Sequence, residues 1–193
     1  MLRIATEADV PAILEIYAPY VTDTTITFEY TVPTAAEFLQ RFREITAEFP
    51  WLVWEERGRI LGYAYACHPF QRAAYSWSAE PSIYLRPEAQ GKGIGRKLYA
   101  GLEELLKEMG YRMLFALITG ENRGSCAFHE KLGYTLAGTL ETAGYKMGRW
   151  CSVFWMEKQI QIVENPMDFP TKWGAIGQDN QKIFDILCSL SLS

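Results

Sequence analysis

The chain has 193 residues, of which 49% are hydrophobic, and a formal net charge of −4 at pH 7. This size and composition predict one domain with a sizeable core. Lys and Arg form no basic stripe, which argues against a nucleic-acid partner, and no apolar run approaches the ~20 residues that span a bilayer. The histidines and cysteines lack zinc-site spacing, so no metal is expected. The N-terminal residues do not resemble a signal peptide, which favours a cytoplasmic protein with reduced thiols.

The first half of the chain predicts two helices between short strands. Thr6 and Asp9 offer caps for the first helix, and Thr34 and Glu37 form a capping box for the second, which Pro50 ends. Two strand-like runs then meet at a glycine, the pattern of a hairpin. In chain order, the expected elements are a strand at 2–5, a helix from about 9 to 20, a helix from about 35 to 48, and strands at 51–55 and 59–66.

The second half predicts alternating strands and helices, then a final pair of strands. A strand region over 75–85 contains Pro81, which implies a bulge or a sheet edge at that point. Gly110 and Gly133 have the positions of helix C-caps. Residues 112–118 form the continuous apolar run of a strand buried on both faces. The other expected elements are helices at 96–109 and 125–132, and strands at 134–143 and 150–157 that are linked through Gly144 and Gly148.

The resulting order, β-α-α-β-β-β-α-β-α-β-β, predicts an α/β fold in which helices flank a mixed sheet. Residues 1–160 form the expected domain. Residues 161–193 form a C-terminal extension, in which 164–174 are typical of an extended linker and 178–190 of a short helix. Because the extension contains Trp173 and several aliphatic residues, three outcomes stay open: it packs on the domain, serves an oligomer, or frays.

A glycine-rich turn, Gln-Gly-Lys-Gly-Ile-Gly at 90–95, separates a strand-like run from a helix-like run. Such a turn is a phosphate-binding arrangement, because glycines let backbone N–H groups approach an anion and the helix N-terminus adds unpaired donors. The turn lacks the Gly-Lys-Ser/Thr of a P-loop, and Arg96 replaces the third glycine of a dinucleotide fingerprint. Lys92 and Arg96 either add charge to the site or are simply solvated. A turn without a ligand is the alternative.

The Gln-x-x-Gly-x-Gly spacing of this turn resembles the pyrophosphate loop of the GCN5-related N-acetyltransferases (GNAT), which holds coenzyme A. A second stretch, which begins Asn122-Arg-Gly-Ser125 and ends Glu-Lys-Leu-Gly-Tyr, resembles the family's second cofactor motif. The resemblance implies the GNAT fold, acetyl-CoA as co-substrate, no metal and a homodimer. It also implies the cofactor-binding residues Ile83, Tyr84 and Leu85 through their backbone, the loop residues Gln90, Gly91, Lys92, Gly93, Ile94, Gly95 and Arg96, and Asn122 with Ser125.

Three further stretches, at 25–29, 72–85 and 143–150, are similar to the phosphinothricin N-acetyltransferases and their relatives. The similarity implies transfer of acetyl to the primary amine of an amino acid or of an analogue such as phosphinothricin or methionine sulfoximine. Met147, Cys151 and Ser152 depart from that subfamily, so another small amine or a protein N-terminus stays an alternative acceptor. A non-catalytic acyl-CoA-binding regulator is a third alternative, against which the presence of Glu80 argues.

Glu80 is the expected general base, because a carboxylate among apolar and aromatic residues tends toward a raised pKa that suits a base near neutrality. The alternative is a structural role, in which Glu80 caps a bulge or pairs with Arg72. His129 stands where many GNAT enzymes have a tyrosine acid, and it either donates a proton or binds the cofactor. Arg72 is expected to grip an acid group of the acceptor. Phe28 and Tyr75 are expected to wall the acceptor pocket, with ordinary core as the alternative for Phe28.

Overall fold

The computed structural model describes residues 1–162, 164, 168–176 and 181–192. Within these ranges, seven strands form one sheet in the order β1-β2-β3-β4-β5-β7-β6. The strands are β1 (Leu2–Ile4), β2 (Trp51–Glu56), β3 (Arg59–Cys67), β4 (Ser78–Leu85), β5 (Met113–Thr119), β6 (Thr135–Lys146) and β7 (Arg149–Gln159). The helices are α1 (Val10–Thr22), α2 (Ala35–Thr46), α3 (Ile94–Glu108), α4 (Arg123–Lys131), α5 (Trp173–Ile176) and α6 (Gln181–Leu192). The expected order of strands and helices is confirmed.

Helices cover both faces of the central strands. The Thr34 side chain accepts a hydrogen bond from the Glu37 backbone, and the Glu37 carboxylate reaches back to Thr34, so the capping box at the start of α2 is confirmed. Apolar side chains of α1 and α2 pack on β2 and β3 in a cluster that includes Ile13, Tyr17, Phe38, Trp51 and Tyr63. On the opposite face, α3 packs on the sheet in a cluster that includes Leu52, Leu98, Leu102, Leu105 and Leu114. The expectation that the strand at 112–118 is buried on both faces is wrong: β5 alternates between buried and more exposed residues, and Leu117 is 41% exposed, because α3 covers only one of its faces.

The sheet opens between β4 and β5. These strands are parallel, but they pair only at their beginnings, through Ser78 with Met113 and Ala79 with Leu114. In contrast, β4 pairs with β3 from Glu80 to Leu85 without a register shift. Pro81 lies just beyond the last parallel pair, so it stands at an open edge and not at a bulge. The gap between the diverging strands forms a cleft.

The hairpin of β6 and β7 is longer than the sequence predicts. Met147 and Gly148 form its turn, with φ values of 52° and 78°. Strand β6 continues through Gly144 to Lys146, because a register shift between Leu140 and Gly144 absorbs the irregular residues without ending the pairing. The expected strand break at Gly144 is therefore wrong, whereas the expected turn at Gly148 is confirmed.

The C-terminal extension packs on the domain. Three of its apolar side chains join the buried cluster on the α3 face: Trp173, Ile183 and Leu187. The Leu2 backbone N–H donates to Ser191 Oγ at 3.0 Å. The segment expected as a linker ends in the helix α5, because burial of Trp173 gives it a fixed place. The expected helix at 178–190 is observed as α6 from Gln181, while residues 178–180 and residues 165–167 of the expected linker lie outside the described residues. In the described ranges, no helix is both long and apolar enough to cross a membrane.

Candidate active site

A narrow cleft of about 70 Å³ lies between the diverging strands β4 and β5 and the start of α4, and we call it the β4–β5 cleft. Its lining includes Glu80, Pro81, Ser82, Ile83 and Tyr84 of β4, residues 116–119 of β5, and the helical or capping residues Tyr99, Asn122, Ser125 and His129. The structure therefore brings the expected base, two of the expected β4 residues and the second cofactor motif to one place.

Glu80 is half-buried in the lining of this cleft. Burial raises the pKa of its carboxyl, since the charged form loses water. Its carboxylate makes no hydrogen bond or ion pair with the residues that the structure describes, Arg72 included. On the neighbouring strand β3, burial and then the Glu80 charge raise the pKa of the Cys67 thiol to about 12, so this thiol is protonated near neutrality. The Glu80 carboxylate is thus available to accept a proton from a ligand, as a general base requires.

Two tyrosine hydroxyls contact the open edge of β4. The Tyr99 hydroxyl oxygen lies 3.3 Å from the carbonyl oxygen of Pro81 and 2.8 Å from His129 Nε2, and its single proton is directed to the nearer of the two. The Tyr20 hydroxyl donates to the carbonyl oxygen of Leu85 at 2.5 Å and accepts from the Leu85 N–H at 3.3 Å. These contacts occupy backbone groups on the edge that faces β5.

The same contacts show which backbone groups of β4 face the cleft. Backbone groups of alternate residues in an antiparallel strand point to opposite neighbours. The backbone N–H and C=O groups of Leu85 point away from β3. The backbone groups of Ile83 therefore also point away from β3, whereas those of Tyr84 point toward it. Ile83 thus presents an N–H to the cleft, where it can donate to a developing oxyanion. A ligand can pair with Leu85 only if the Tyr20 hydroxyl yields.

The glycine loop lies at the N-terminus of α3. Gly91 and Gly93 have φ values of 73° and 79°, and a Cβ at either would meet nothing within 4 Å. Gly95 differs, because its Cβ would lie 3.4 Å from the Ile83 side chain, so this glycine packs α3 against β4. The Lys97 N–H donates to the Gly93 carbonyl oxygen at 3.2 Å, which leaves the N–H groups between them outside the helical ladder. Exposed residues surround this site: Gln90, Lys92 and Arg96.

His129 is buried at the wall of the cleft. Its Nδ1 lies 2.8 Å from the Ser125 carbonyl oxygen, which can only accept, so Nδ1 carries the proton. Its Nε2 therefore accepts from the Tyr99 hydroxyl at 2.8 Å. Burial lowers the pKa of His129, against the opposing effect of the Ser125 bond. The neutral imidazole thus holds the Tyr99 hydroxyl in place. Proton donation by His129 to a ligand stays a prediction, and it requires Tyr99 to release Nε2 and Nε2 to gain a proton.

Asn122 caps α4 beside this histidine. Its Oδ1 accepts from the Ser125 N–H at 3.2 Å, the ordinary role of asparagine at a helix start. The cap turns the first residues of α4 toward the cleft, which both Asn122 and Ser125 line. Their contact with a cofactor stays a prediction.

The three residues expected to bind the acceptor do not line the β4–β5 cleft. Arg72 and Tyr75 lie in the connection between β3 and β4 and are exposed, and the Tyr75 ring centre is 4.4 Å from that of Phe70. Phe28 lies between α1 and α2 and is 37% exposed. Its ring covers Gly144 of β6, where a Cβ would overlap it. Phe28 is therefore a surface contact of the β6–β7 hairpin and not ordinary core, and acceptor binding by the three residues stays a prediction.

A wider depression of about 550 Å³ adjoins the cleft. It shares Ile26 and Asn122 with the cleft and is also lined by Asp23, Thr24, Thr25, Glu121, Met147 and Arg149. Arg149 and Glu121 form an ion pair of 2.5 Å, with both side chains about half exposed. Because such a pair contributes little stability, the guanidinium can exchange Glu121 for the acid group of a ligand. Arg149 is a further candidate for binding the acceptor substrate. The sequence alone does not indicate it, since nothing in the pattern distinguishes an arginine after a tight turn from any other surface arginine.

Comparisons with known proteins agree with this geometry. The family of the acetyltransferase (GNAT) domain matches residues 2–155. The phosphinothricin N-acetyltransferase of Streptomyces viridochromogenes is 34% identical over 165 residues, which cover 86% of this chain and 90% of that protein. The L-methionine sulfoximine/L-methionine sulfone acetyltransferase of Salmonella typhimurium is 32% identical, with 82% of this chain and 94% of that protein covered.

A solved structure is similar over nearly the whole domain. The phosphinothricin acetyltransferase of the GNAT superfamily from Sinorhizobium meliloti, in complex with AcCoA, has a TM-score of 0.81 and 40% identity. The match covers 89% of this chain and 92% of that one. The predicted co-substrate, acetyl-CoA, agrees with that complex.

Fold, cleft and relatives together define an N-acetyltransferase. The chain belongs to the GNAT acetyltransferase family. The predicted family, fold and enzyme class are thus confirmed. The family match ends at residue 155, so it does not include the C-terminal extension. Among the described residues, no group of three or more His, Cys, Asp or Glu side chains is placed to hold a metal ion.

Proposed function

We propose that this protein transfers the acetyl group of acetyl-CoA to the primary amine of an amino acid or an amino-acid analogue of the phosphinothricin or methionine sulfoximine type. The observation that carries the proposal is the Glu80 carboxylate, which is half-buried, has a raised pKa and lacks a partner among the described residues. A regulator that only binds acyl-CoA needs no such group. The names of the two curated relatives supply the class of acceptor.

Acetyl-CoA is proposed to bind along the open edge of β4. The pantetheine arm enters the β4–β5 cleft and pairs with the backbone of Ile83, while Asn122 and Ser125 line its other side. The pyrophosphate lies on the glycine loop, where the left-handed conformation of Gly91 and Gly93 leaves open space above the backbone. Lys92 and Arg96 add positive charge around it.

The residues of the cleft can perform the transfer by direct attack. Glu80 removes a proton from the substrate ammonium, directly or through a water, so that the amine becomes a nucleophile. The amine nitrogen forms a bond to the thioester carbonyl carbon, and the Ile83 N–H stabilises the charge on the carbonyl oxygen. The carbon–sulfur bond then breaks and the thiolate leaves, while the bound nitrogen loses its second proton, which the thiolate takes up directly or through water. Because a free thiol has a pKa of about 8.5, a thiolate can leave unaided, with His129 as the proposed donor where one is used.

For the acceptor, we propose that Arg72 grips the acid group while Phe28 and Tyr75 contact the side chain. Arg72 is exposed and forms no ion pair with the residues that the structure describes. Its guanidinium is therefore available for bidentate binding of a carboxylate or a phosphinate. Arg149, beside the cleft, is the second guanidinium that can serve this purpose.

An acceptor screen tests the proposed function. Acetyl-CoA is supplied with amino acids, phosphinothricin, methionine sulfoximine, simple amines and peptides with a free N-terminus, and thiol release is measured. We expect the highest kcat/KM for an amino acid or an analogue with an acid group. A preference for simple amines or peptides identifies the alternative acceptor class. Stoichiometric acetyl-CoA binding without thiol release for any acceptor contradicts the proposal.

We also propose that the enzyme is a homodimer in the cytoplasm. The β6–β7 hairpin exposes several large apolar side chains, namely Leu136, Leu140, Tyr145, Met147 and Trp150, and an apolar surface of this kind favours association. The cysteines of the described ranges are free thiols, as is usual in a reducing compartment. Light scattering with Trp150→Glu as the variant tests the dimer, since a charge at the interface should dissociate it.

A further inference from the structure

The C-terminal extension reaches the beginning of the β3–β4 connection, which comprises residues 68–77. The Lys172 ammonium lies 2.8 Å from Glu48 Oε1, and the other oxygen of Glu48 lies 2.7 Å from His68 Nε2. The His68 ring also packs edge-on against Phe49, with ring centres 4.7 Å apart. Glu48 therefore links the extension to the first residue of this connection.

The extension also reaches the end of the same connection. The Trp77 indole N–H donates to the carbonyl oxygen of Asp168 at 3.3 Å. The Trp77 ring stacks on Phe169, with ring centres 5.1 Å apart and an interplanar angle of 21°. Trp77 directly precedes β4, the strand that carries Glu80.

The contacting part of the extension is itself fixed to the core. The Thr171 N–H donates to the carbonyl oxygen of Met109 at 2.8 Å, and the Trp173 N–H donates to that of Glu48 at 3.0 Å. The Trp173 side chain is 5% exposed. Segment 168–173 thus has a rigid base from which it can hold both ends of the connection.

We propose that segment 168–173 is a positioning element for acceptor binding. It holds both ends of the β3–β4 connection and thereby fixes Arg72 and Tyr75, which lie between them. This inference rests on the proposed role of Arg72 in the proposed function. Binding an acceptor requires this exposed connection to be ordered, and a connection ordered in advance spares that cost at each binding event. The segment lies beyond residues 2–155, which the family model matches.

Two phenylalanines of the extension give a matched pair for the test. Phe169 is 64% exposed and stacks on Trp77, whereas Phe184 is 63% exposed and has no ring partner among the described residues. We expect Phe169→Ala to raise the KM of the amino-acid acceptor about three- to ten-fold, the size of a lost ordering contact. The kcat at saturating acceptor and the KM of acetyl-CoA should not change. Phe184→Ala should leave all three constants at the wild-type values.

A double variant tests whether the effect passes through Arg72. If it does, Phe169→Ala should raise acceptor KM in the wild-type background and have a smaller effect in the Arg72→Ala background, where only the positioning of Tyr75 remains to be lost. At the other end, Lys172→Ala should also raise acceptor KM, and Lys172→Arg should restore it.

Three results overturn the inference: equal changes in Phe169→Ala and Phe184→Ala, a raised KM for acetyl-CoA, or an undiminished effect of Phe169→Ala in the Arg72→Ala background. A wild-type protein that acetylates no amino acid overturns the proposed function instead. Thermal unfolding of each variant shows that the protein assayed is folded.

Discussion

The cofactor side and the acceptor side of this molecule are built from different parts of the chain. On the cofactor side, the expected contacts come from backbone groups: the edge of β4 at Ile83, the turn at Gly91 and Gly93, and the start of α3. On the acceptor side, the candidates are side chains from separate parts of the chain. Arg72 lies in the β3–β4 connection, whereas Arg149 begins β7, 77 residues later in the sequence.

Because of this difference, the two sides depend on different properties of the chain. A backbone site depends on strand pairing and on glycine at the left-handed positions, and both are properties of the fold. A side-chain site depends on how the exposed segments that carry Phe28, Arg72 and Arg149 are positioned, and each of these segments can change without disturbing the sheet. The cofactor side should therefore respond sharply to backbone changes, and the acceptor side to changes in side chains and in the extension that supports them.

Glu80 lies between the two sides, and its substitution should have the largest effect. Glu80→Gln keeps the shape but removes the proton acceptor, so kcat should fall by ~10²–10⁴ with acetyl-CoA affinity nearly unchanged. Because burial raises the pKa of Glu80, wild-type kcat/KM should fall as the pH drops through that pKa and the base becomes protonated. This acidic limb should be absent from the variant. A variant within a few-fold of wild type at every pH would show that Glu80 is structural.

The sequence predicts the fold and the cofactor side more completely than the acceptor side. The periodicity of apolar residues, the helix caps and the turn glycines depend on neighbouring residues alone. The order of the elements and the position of the glycine loop can therefore be predicted from the sequence. The hydrogen bond between Tyr20 and the Leu85 backbone joins residues 65 positions apart, and that between Tyr99 and His129 joins residues 30 positions apart. No local pattern distinguishes such a tyrosine from ordinary core. The predicted strand break at Gly144 is wrong for a related reason. A register shift inside a strand leaves the same local pattern in the sequence as the end of a strand.

The glycine loop gives the sharpest test of a backbone site. Gly93 has a φ of 79°, so Gly93→Val adds about 1–3 kcal/mol of strain and places a branched side chain over the expected pyrophosphate. We expect acetyl-CoA affinity, measured by calorimetry, to fall by roughly 10- to 100-fold. Gly138→Val is the control, because its Cβ also meets nothing within 4 Å but φ is not positive there. Equal affinities in the two variants would remove the loop from the cofactor side.

Trp173→Ala tests whether the extension belongs to the acceptor side. The substitution empties a buried site, and a tryptophan truncated in a core costs about 3–5 kcal/mol. Local release of the extension limits the loss, so we expect about 2 kcal/mol and a lower Tm. Acceptor KM should rise, while acetyl-CoA affinity stays at the wild-type value. Loss of acetyl-CoA binding in a folded variant would show that the extension also supports the cofactor side.

The smallest expected effect comes from His129, whose buried imidazole belongs to the cofactor side. Burial lowers its pKa from the ordinary value of 6.5, so the unfolded chain binds a proton that the folded protein does not. The stability that this neutral histidine contributes is therefore fully present above pH 6.5 and is lost as the pH falls toward the lowered pKa.

In urea unfolding between pH 7 and 5, the slope of stability against pH should be smaller in His129→Asn than in wild type. The difference can reach about 1.4 kcal/mol per pH unit, the contribution of one proton. The matched substitution His68→Asn, at the exposed contact with Glu48, is the control for replacing a histidine outside the β4–β5 cleft. If His129→Asn keeps the wild-type slope, the His129 imidazole carries a second ring proton, on Nε2, in the folded state. Its Nε2 would then donate instead of accepting from Tyr99, and His129 would regain the role of acid toward the leaving thiolate.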